Sequence, residues 1–122
     1  MVLRTPNPAR PTKGTALCPL NEIAEPGAKG FDFRVGSAVF AGFVVRKAGL
    51  VLGYVDECPH AGWPLAVLPD RYLTREADRI FCGGHGALFR IKDGVCTSGP
   101  CEGDRLESWP VTVDAEGVIR TA

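Results

Sequence analysis

Both histidines of this chain follow a cysteine at close range, and this constrains the fold more than any other feature of the sequence. One pair is Cys58-Pro-His60 and the other is Cys82-Gly-Gly-His85, with residues 61–81 between them. Two thiolates and two imidazoles suit a zinc ion or an iron–sulfur cluster equally well. Glycine and proline surround both pairs, which is typical of shaped loops. A scaffold that uses these side chains together must therefore bring two separate loops to one place.

The spacing favours two metal ions over one. Structural zinc sites usually pair like with like, with two cysteines in one half of the site and two histidines in the other. Here each half supplies one cysteine and one histidine, in the same order. A two-iron centre of the Rieske type explains this order, because one iron takes a thiolate from each loop and the other iron takes an imidazole from each loop. A zinc site is the alternative that the sequence leaves open.

The length and composition indicate one soluble globular domain. The chain has 122 residues, 45% of them hydrophobic, and its formal net charge is zero. That balance implies no basic face, so neither nucleic acid nor a membrane is expected as a partner. The sequence shows no signal-peptide pattern and no apolar run that could span a bilayer, so a cytoplasmic location is expected. Residues 1–15 are predicted to be a flexible tail and residues 16–122 the folded domain.

Short strand-like segments separated by turn signals predict an all-β fold. The clearest pair is residues 38–47 and 50–57, which are rich in β-branched and aromatic residues and flank a tight turn. This hairpin leads the chain directly to Cys58. Further strand-like segments lie at residues 17–23, 31–35, 78–82, 87–91 and 108–122. The pattern predicts small antiparallel sheets, with the two Cys/His loops at one end.

The letters around the ligands resemble those of a known family. The stretches CPHAGWPL (58–65) and FCGGHGALF (81–89) resemble the Rieske 2Fe-2S motif C-x-H…C-x-x-H. The stretch TSGP (97–100) is similar to the proline loop that covers the cluster in that family. The chain thus resembles a single-domain Rieske-type ferredoxin. The resemblance implies the Rieske fold of small antiparallel sheets and one 2Fe-2S cluster per chain.

The resemblance also implies a role for each ligand. Cys58 and Cys82 would bind the inner iron, and His60 and His85 the outer, more exposed iron. Several nearby glycines are expected to bring backbone N–H groups close to the cluster sulfurs. They are Gly62, Gly83, Gly84 and Gly86. The side chains of Trp63 and Pro64 are expected to screen the cluster from water.

The chain departs from the high-potential branch of that family at four positions. In that branch each ligand loop carries a second cysteine and the two form a disulfide, whereas the equivalent positions here are Trp63 and Gly84. A serine and a tyrosine of that branch donate hydrogen bonds to sulfur, whereas Ala87 and Phe89 have no hydroxyl. Fewer hydrogen bonds leave the reduced cluster less stabilised. The reduction potential is therefore predicted near the low end of the Rieske range, roughly −150 mV.

The function implied by the resemblance is that of a soluble one-electron carrier. It would pass electrons from a flavin-dependent ferredoxin reductase to a terminal oxygenase or reductase. The small subunit of a nitrite reductase is a related possibility, and a redox-sensing or structural metal-binding module is the alternative of another class. No catalytic acid or base can be identified, and both histidines are already used as ligands. We therefore expect an electron-transfer component and not an enzyme.

The remaining cysteines and one long connection are less informative. Cys96 and Cys101 flank the proline loop and are interpreted as small, partly buried thiols, with a disulfide or a second metal or redox pair as alternatives. Cys18 is expected in the core. The polar segment 69–79 is interpreted as a solvated excursion, the alternative being an insertion that docks a partner. Trp109 is expected to be a core anchor.

Overall fold

The computed structural model describes residues 7–59, 64–84 and 86–122 of the chain. Its strands are β1 (Ala16–Pro19), β2 (Gly27–Val35), β3 (Ala38–Lys47), β4 (Leu50–Val55), β5 (Arg79–Phe81), β6 (Leu88–Arg90), β7 (Cys96–Ser98), β8 (Val111–Val113) and β9 (Val118–Thr121). A short 3₁₀ helix, Leu20–Glu22, follows β1. The sheets have the strand orders β1-β9-β8, β2-β3-β4 and β5-β6-β7, and every pairing is antiparallel. The predicted all-β fold of small antiparallel sheets is confirmed, and no helix in the described segments could cross a membrane.

The sheet β2-β3-β4 carries the chain to the first cysteine loop. Strands β3 and β4 form the predicted hairpin, with Phe43 opposite Tyr54. Its turn consists of Ala48 and Gly49, whose φ angles of 51° and 80° give the twist that a two-residue hairpin turn needs. Strand β4 ends at Val55. The next residue is Asp56, whose backbone still bonds to the sheet while its side chain turns to the loop.

The sheet β5-β6-β7 holds the second cysteine loop. Strand β5 ends immediately before Cys82, and β6 begins immediately after Ala87. The N–H of Cys82 donates to the carbonyl oxygen of Ala87 at 2.9 Å, so the hydrogen-bond ladder extends to the base of the loop. On the other side of β6, a turn at residues 91–93 leads towards β7, which runs into the proline loop. The second cysteine loop and the proline loop therefore lie at one end of this sheet.

The sheet β1-β9-β8 packs around Trp109, which is buried as expected. The indole makes edge-on contacts with the rings of Phe31, Phe33 and Phe40, and the centroid of Phe40 lies 5.2 Å away. A Cβ atom on Gly42 would lie 2.4 Å from the indole, so the missing side chain makes room for the ring. Cys18 is buried in this same cluster, which confirms that it is a core residue.

Residues 7–15 contact the sheets before β1 begins. Ala9 is buried, and the guanidinium of Arg10 bonds to Glu107 at 2.9 Å and lies over the ring of Phe40. The boundary of the folded domain at residue 16 stays a prediction. The contacts show that Ala9 and Arg10, which come before this boundary, pack against residues of the sheets and of their connections.

The segment 69–79 is attached to the sheets at several points. Tyr72 is buried and its ring stacks on Phe43, with the centroids 4.2 Å apart. Asp70 accepts the N–H of Gly30 at 2.8 Å, and Leu73 forms a β-bridge with Ile80. The expectation of a solvated excursion is thus wrong for Tyr72, because the aromatic ring fills the core beneath the first cysteine loop.

Candidate metal centre

Cys58 and Cys82 lie at the base of the two loops that the motifs define. Both thiols are buried and belong to one core cluster, together with Cys96 and Cys101. Cys58 follows the end of β4 closely, and Cys82 follows β5 directly. The predicted ligands His60 and His85, and with them Gly62 and Trp63, lie outside the described residues. The structure therefore shows the thiol half of the predicted site.

The backbone joins the two loops to each other. The N–H of Gly83, in the second loop, donates to the carbonyl oxygen of Leu65, at the end of the first loop, at 2.8 Å. A Cβ atom on Gly83 would lie 2.6 Å from the side chain of Val67, so the loops approach closely there. This contact gives the two cysteines a fixed relation, as a shared metal centre requires.

Asp56 closes the base of the first loop. One of its carboxylate oxygens accepts the N–H of Leu65 and the other accepts the hydroxyl of Tyr72, each at 2.8 Å. Burial raises the pKa of Tyr72, and the charge and hydrogen bond of Asp56 raise it further. Tyr72 therefore stays protonated and donates at neutral pH. Neither Asp56 nor Tyr72 was identified from the sequence. The position of an aspartate two residues before Cys58 is the one sequence feature that could have indicated that its side chain closes the loop.

The second loop is a tight turn between Cys82 and Ala87. The N–H of Gly86 donates to the carbonyl oxygen of Cys82 at 2.9 Å, and Gly86 has a φ of 70°. This left-handed conformation suits glycine and reverses the chain within the loop. Gly83, Gly84 and Gly86 are exposed. The N–H groups of Gly83 and Gly86 donate to the carbonyl oxygens of Leu65 and Cys82, so the expectation that they donate to cluster sulfurs is wrong for these two glycines.

The proline loop packs on the second cysteine loop. A Cβ atom on Gly99 would lie 2.8 Å from the Cα of Ala87, and Gly99 has a φ of 104°. Ala87 and Phe89 are fully buried beneath this contact. The loop thus lies beside the site, so close to Ala87 that a side chain on Gly99 would meet the backbone and the methyl group of Ala87.

All five cysteines lie in the described part of the chain, and no disulfide links them. Cys96 and Cys101 are more deeply buried than expected, and their sulfurs are 3.0 Å apart. Cys101 also forms a side-chain hydrogen bond with Cys58. Cys101 therefore lies next to a predicted ligand, and Cys96 lies on the other side of Cys101.

The buried thiols suit a metal centre that binds soft ions. Thiolates are the ligands of iron–sulfur clusters and of zinc, and a loop-borne pair that is shielded from water fits the inner half of a two-iron cluster. Among the residues that the structure describes, no three His, Cys, Asp or Glu side chains form a metal-binding group. Of the four predicted ligands, the described residues therefore include the two cysteines. Each predicted histidine follows one of these cysteines closely in the sequence.

Comparison with known proteins decides between zinc and an iron–sulfur cluster. The sequence pattern of the Rieske [2Fe-2S] domain matches residues 15–110. The chain belongs to the Rieske 2Fe-2S family. A Rieske-type 2Fe-2S cluster is therefore the cofactor of this domain. Which side chains bind the two irons stays a prediction at the level of single residues.

Solved structures share the fold of this Rieske domain at low sequence identity. The ferredoxin of carbazole 1,9a-dioxygenase from Nocardioides aromaticivorans IC177 has a TM-score of 0.68 and 21% identity, over 90% of this chain and 98% of that chain. The Sphingomonas yanoikuyae B1 ferredoxin has a TM-score of 0.65 and 23% identity, over 89% and 98%. A complex of reduced oxygenase and oxidized ferredoxin in carbazole 1,9a-dioxygenase has a TM-score of 0.65 and 24% identity, over 87% and 90%. No curated protein matches the chain.

Proposed function

We propose that this Rieske protein is a one-electron carrier of the cytoplasm, which passes electrons from a flavin-dependent reductase to a terminal oxygenase. The observation that supports the proposal most directly is the pair of buried cysteines at the base of two joined loops, in a chain of the Rieske family. The structural neighbours are ferredoxins of dioxygenase systems, and one of them is in a complex with its oxygenase. The protein itself positions and tunes the cofactor.

In this proposal Cys58 and Cys82 hold the inner iron and His60 and His85 hold the outer iron. When bound, the cluster supplies a one-electron redox couple. Burial of the two cysteines excludes water from the sulfur ligands. Asp56 and the backbone bond between Gly83 and Leu65 keep the bases of the two loops together, so the two cysteines are held in place before the metal arrives.

We further propose that the partner docks on an apolar groove beside the second cysteine loop. The groove has a volume of about 940 Å³, and its wall includes Val67 and Leu68, whose side chains are 73% and 59% exposed. Gly83 and Gly86 form part of the same wall, so a bound protein would lie close to the cluster. Redox interfaces are small, and an apolar centre of this size suits a transient complex.

Two arginines give the groove its charge. Arg71 and Arg75 both line it, and neither guanidinium forms an ion pair within the described residues. Opposite charges steer redox partners into productive encounters. The surface therefore suits a terminal oxygenase that presents acidic side chains around an apolar patch. This assigns to the segment 69–79 the partner-docking role that the sequence left as an alternative.

The proposed function is tested on the purified holoprotein. Iron and sulfide analysis should give two irons and two sulfides per chain, and dithionite should produce the rhombic, low-average-g EPR signal of a Rieske cluster. The substitutions Cys58→Ser and Cys82→Ser should abolish cluster assembly, and His60→Asn and His85→Asn should abolish that EPR signature. Cys18→Ser, in the other core cluster, is the matched control and should keep the signal. Colourless protein with one zinc per chain would contradict the proposal.

A further inference from the structure

Three buried sulfurs lie in contact next to the metal centre. The sulfur of Cys101 is 3.0 Å from that of Cys96, and Cys101 also hydrogen-bonds to the side chain of Cys58. All three belong to the same core cluster and are shielded from solvent. Cys101 is therefore the middle member of the group, between a proposed cluster ligand and a thiol that has no place in the proposed ligand set.

The protons of these thiols can be assigned from their partners. The sulfur of Cys96 lies 3.2 Å from the carbonyl oxygen of Ser98, which can only accept, so Cys96 donates its one proton there. Cys101 then has one proton and two sulfur acceptors, Cys96 and Cys58. A metal-bound thiolate carries negative charge and is a stronger acceptor than a neutral thiol. The proton of Cys101 should therefore point to Cys58 when the cluster is bound.

We infer that Cys101 donates an S–H···S hydrogen bond to the ligand sulfur of Cys58 and thereby raises the reduction potential of the cluster. The inference rests on the proposed function, since it requires Cys58 to be a cluster ligand. It assigns Cys101 as a tuning residue, which directly follows the proline loop in the chain. The missing hydroxyls at Ala87 and Phe89 are thus partly replaced by a thiol from another element.

The direction of the effect follows from the charge change on reduction. The added electron increases the negative charge on the cluster and its sulfur ligands. A donor aimed at one of these sulfurs stabilises the reduced state more than the oxidised state. Removing the donor should therefore lower the potential, whereas removing Cys96, the competing acceptor, should leave it unchanged or raise it.

The test is a comparison of holoprotein variants by protein-film voltammetry. Cys101→Ala should reduce the equilibrium constant for cluster reduction by up to about tenfold, which is 59 mV for a one-electron couple. Cys101→Ser keeps a donor and should recover most of the loss. Cys96→Ala should have a potential at or above that of the unmodified protein, and Cys18→Ala should not change it. An unchanged potential in Cys101→Ala, or a fall of equal size in Cys96→Ala, would overturn the inference.

A second readout detects the bond itself. In resonance Raman spectra, transfer to D₂O should shift the iron–cysteine stretching bands of the unmodified protein, and this component of the shift should be absent in Cys101→Ala and present in Cys101→Ser. Thiol alkylation followed by intact-mass measurement provides a further check. A disulfide between Cys96 and Cys101 in the holoprotein would overturn the inference, because no proton would remain to be donated.

Failure of the inference is distinguishable from failure of the proposed function. If the unmodified protein assembles no cluster, the proposed function is wrong and the inference falls with it. If the Rieske EPR signal is present but Cys101→Ala leaves the potential unchanged, the function stands and the inference is wrong. Cys101→Ser guards against a fold defect in Cys101→Ala, since serine is close in size and keeps a donor.

Discussion

The side chain of Asp56 closes the base of the first cysteine loop. It leaves β4 two residues before Cys58 and bonds to Leu65, beyond the loop, at 2.8 Å. The same carboxylate holds Tyr72, whose ring stacks on Phe43 in the core. The position of Cys58 thus depends on a carboxylate that is not among the proposed ligands.

Replacing Asp56 should weaken both the fold and the metal centre. Asp56→Ala leaves the N–H of Leu65 and the buried hydroxyl of Tyr72 without their acceptor, so we expect the free energy of unfolding to fall by about 3 kcal/mol. The matched variant Tyr72→Phe removes one of the two bonds and should cost about 1 kcal/mol. Urea unfolding followed by tryptophan fluorescence measures both, and a loss in Tyr72→Phe as large as that in Asp56→Ala would argue against the bridging role.

The two tyrosines predict a loss of stability in alkali. Burial raises the pKa of Tyr54 to about 12, and burial followed by the charge of Asp56 raises that of Tyr72. The folded state therefore holds these protons more tightly than the unfolded state, in which the pKa is about 10. Their contribution to stability is complete below about pH 10 and is lost as the pH rises from there towards the folded values.

Unfolding free energies between about pH 8 and about pH 11 test this linkage. The unmodified protein should lose stability with a steeper slope than Tyr72→Phe or Tyr54→Phe in the upper part of this range. Parallel curves for all three proteins would show that the tyrosine protons are not held more tightly in the folded state.

For single residues, the sequence allowed a prediction only where the residues concerned lie close together in the chain. The Cys/His pairs could be identified because their residue types and spacing lie within a few positions of each other. The contact between Cys101 and Cys58 joins residues on different elements, and so does the contact between Tyr72 and Asp56. Only the packing of the sheets determines those neighbours, and a single sequence carries no direct record of it.

Among the elements, the proline loop combines a left-handed backbone with a close steric contact. Gly99 combines a φ of 104° with a backbone approach to Ala87 that leaves no space for a Cβ atom. Gly103 lies in the same connection with a φ of 92°, but a Cβ atom there would meet nothing within 4 Å. A comparison of the two positions therefore distinguishes two effects of a side chain. Both positions would suffer backbone strain, but only a side chain at Gly99 would also meet the second cysteine loop.

Gly99→Ala should be more damaging than Gly103→Ala. Both variants acquire the strain of a positive φ, about 1–2 kcal/mol, but only Gly99→Ala must also move the loop away from Ala87. We expect a larger decrease in melting temperature for Gly99→Ala and faster bleaching of the cluster by an iron chelator, because the cover is displaced. Equal bleaching rates in the two variants would contradict the idea that this loop shields the centre.

The elements themselves could be predicted better than their connections. Runs of β-branched and aromatic residues on either side of a tight turn predicted β3 and β4, because these residue types favour strands. The polar segment 69–79 was misjudged at Tyr72, because the surrounding charged residues obscure one buried ring. Short polar segments give too little periodicity for a buried side chain to be recognised.

On the scale of the whole molecule, charge is balanced overall but not in the groove beside the second cysteine loop. The formal net charge is zero, and Arg71 and Arg75 form no ion pair in the described parts of the chain. Recognition of an acidic partner would therefore come from this local patch and not from the total charge.

Charge reversal in the groove should slow electron transfer. For the double substitution Arg71→Glu and Arg75→Glu, we expect the second-order rate constant with a purified terminal oxygenase to fall by about 10-fold or more at low ionic strength. The difference should shrink as salt is added, because exposed charges are screened. Lys13→Glu, an exposed charge near the β1-β9-β8 sheet, is the control and should leave the rate unchanged. Equal rates for the double variant and the control would exclude the groove as the docking surface.

The reduction potential measured across pH tests the central claim, a cluster held by two cysteines and two histidines, most directly. Histidine ligation predicts a potential within the Rieske range that falls in alkali as an imidazole ligand loses its proton, and the missing hydroxyls at Ala87 and Phe89 place it near the low end, roughly −150 mV. Film voltammetry of the holoprotein provides the full curve. A potential near −400 mV, as in all-cysteine clusters of plant-type ferredoxins, or one that does not change in alkali, would contradict the account.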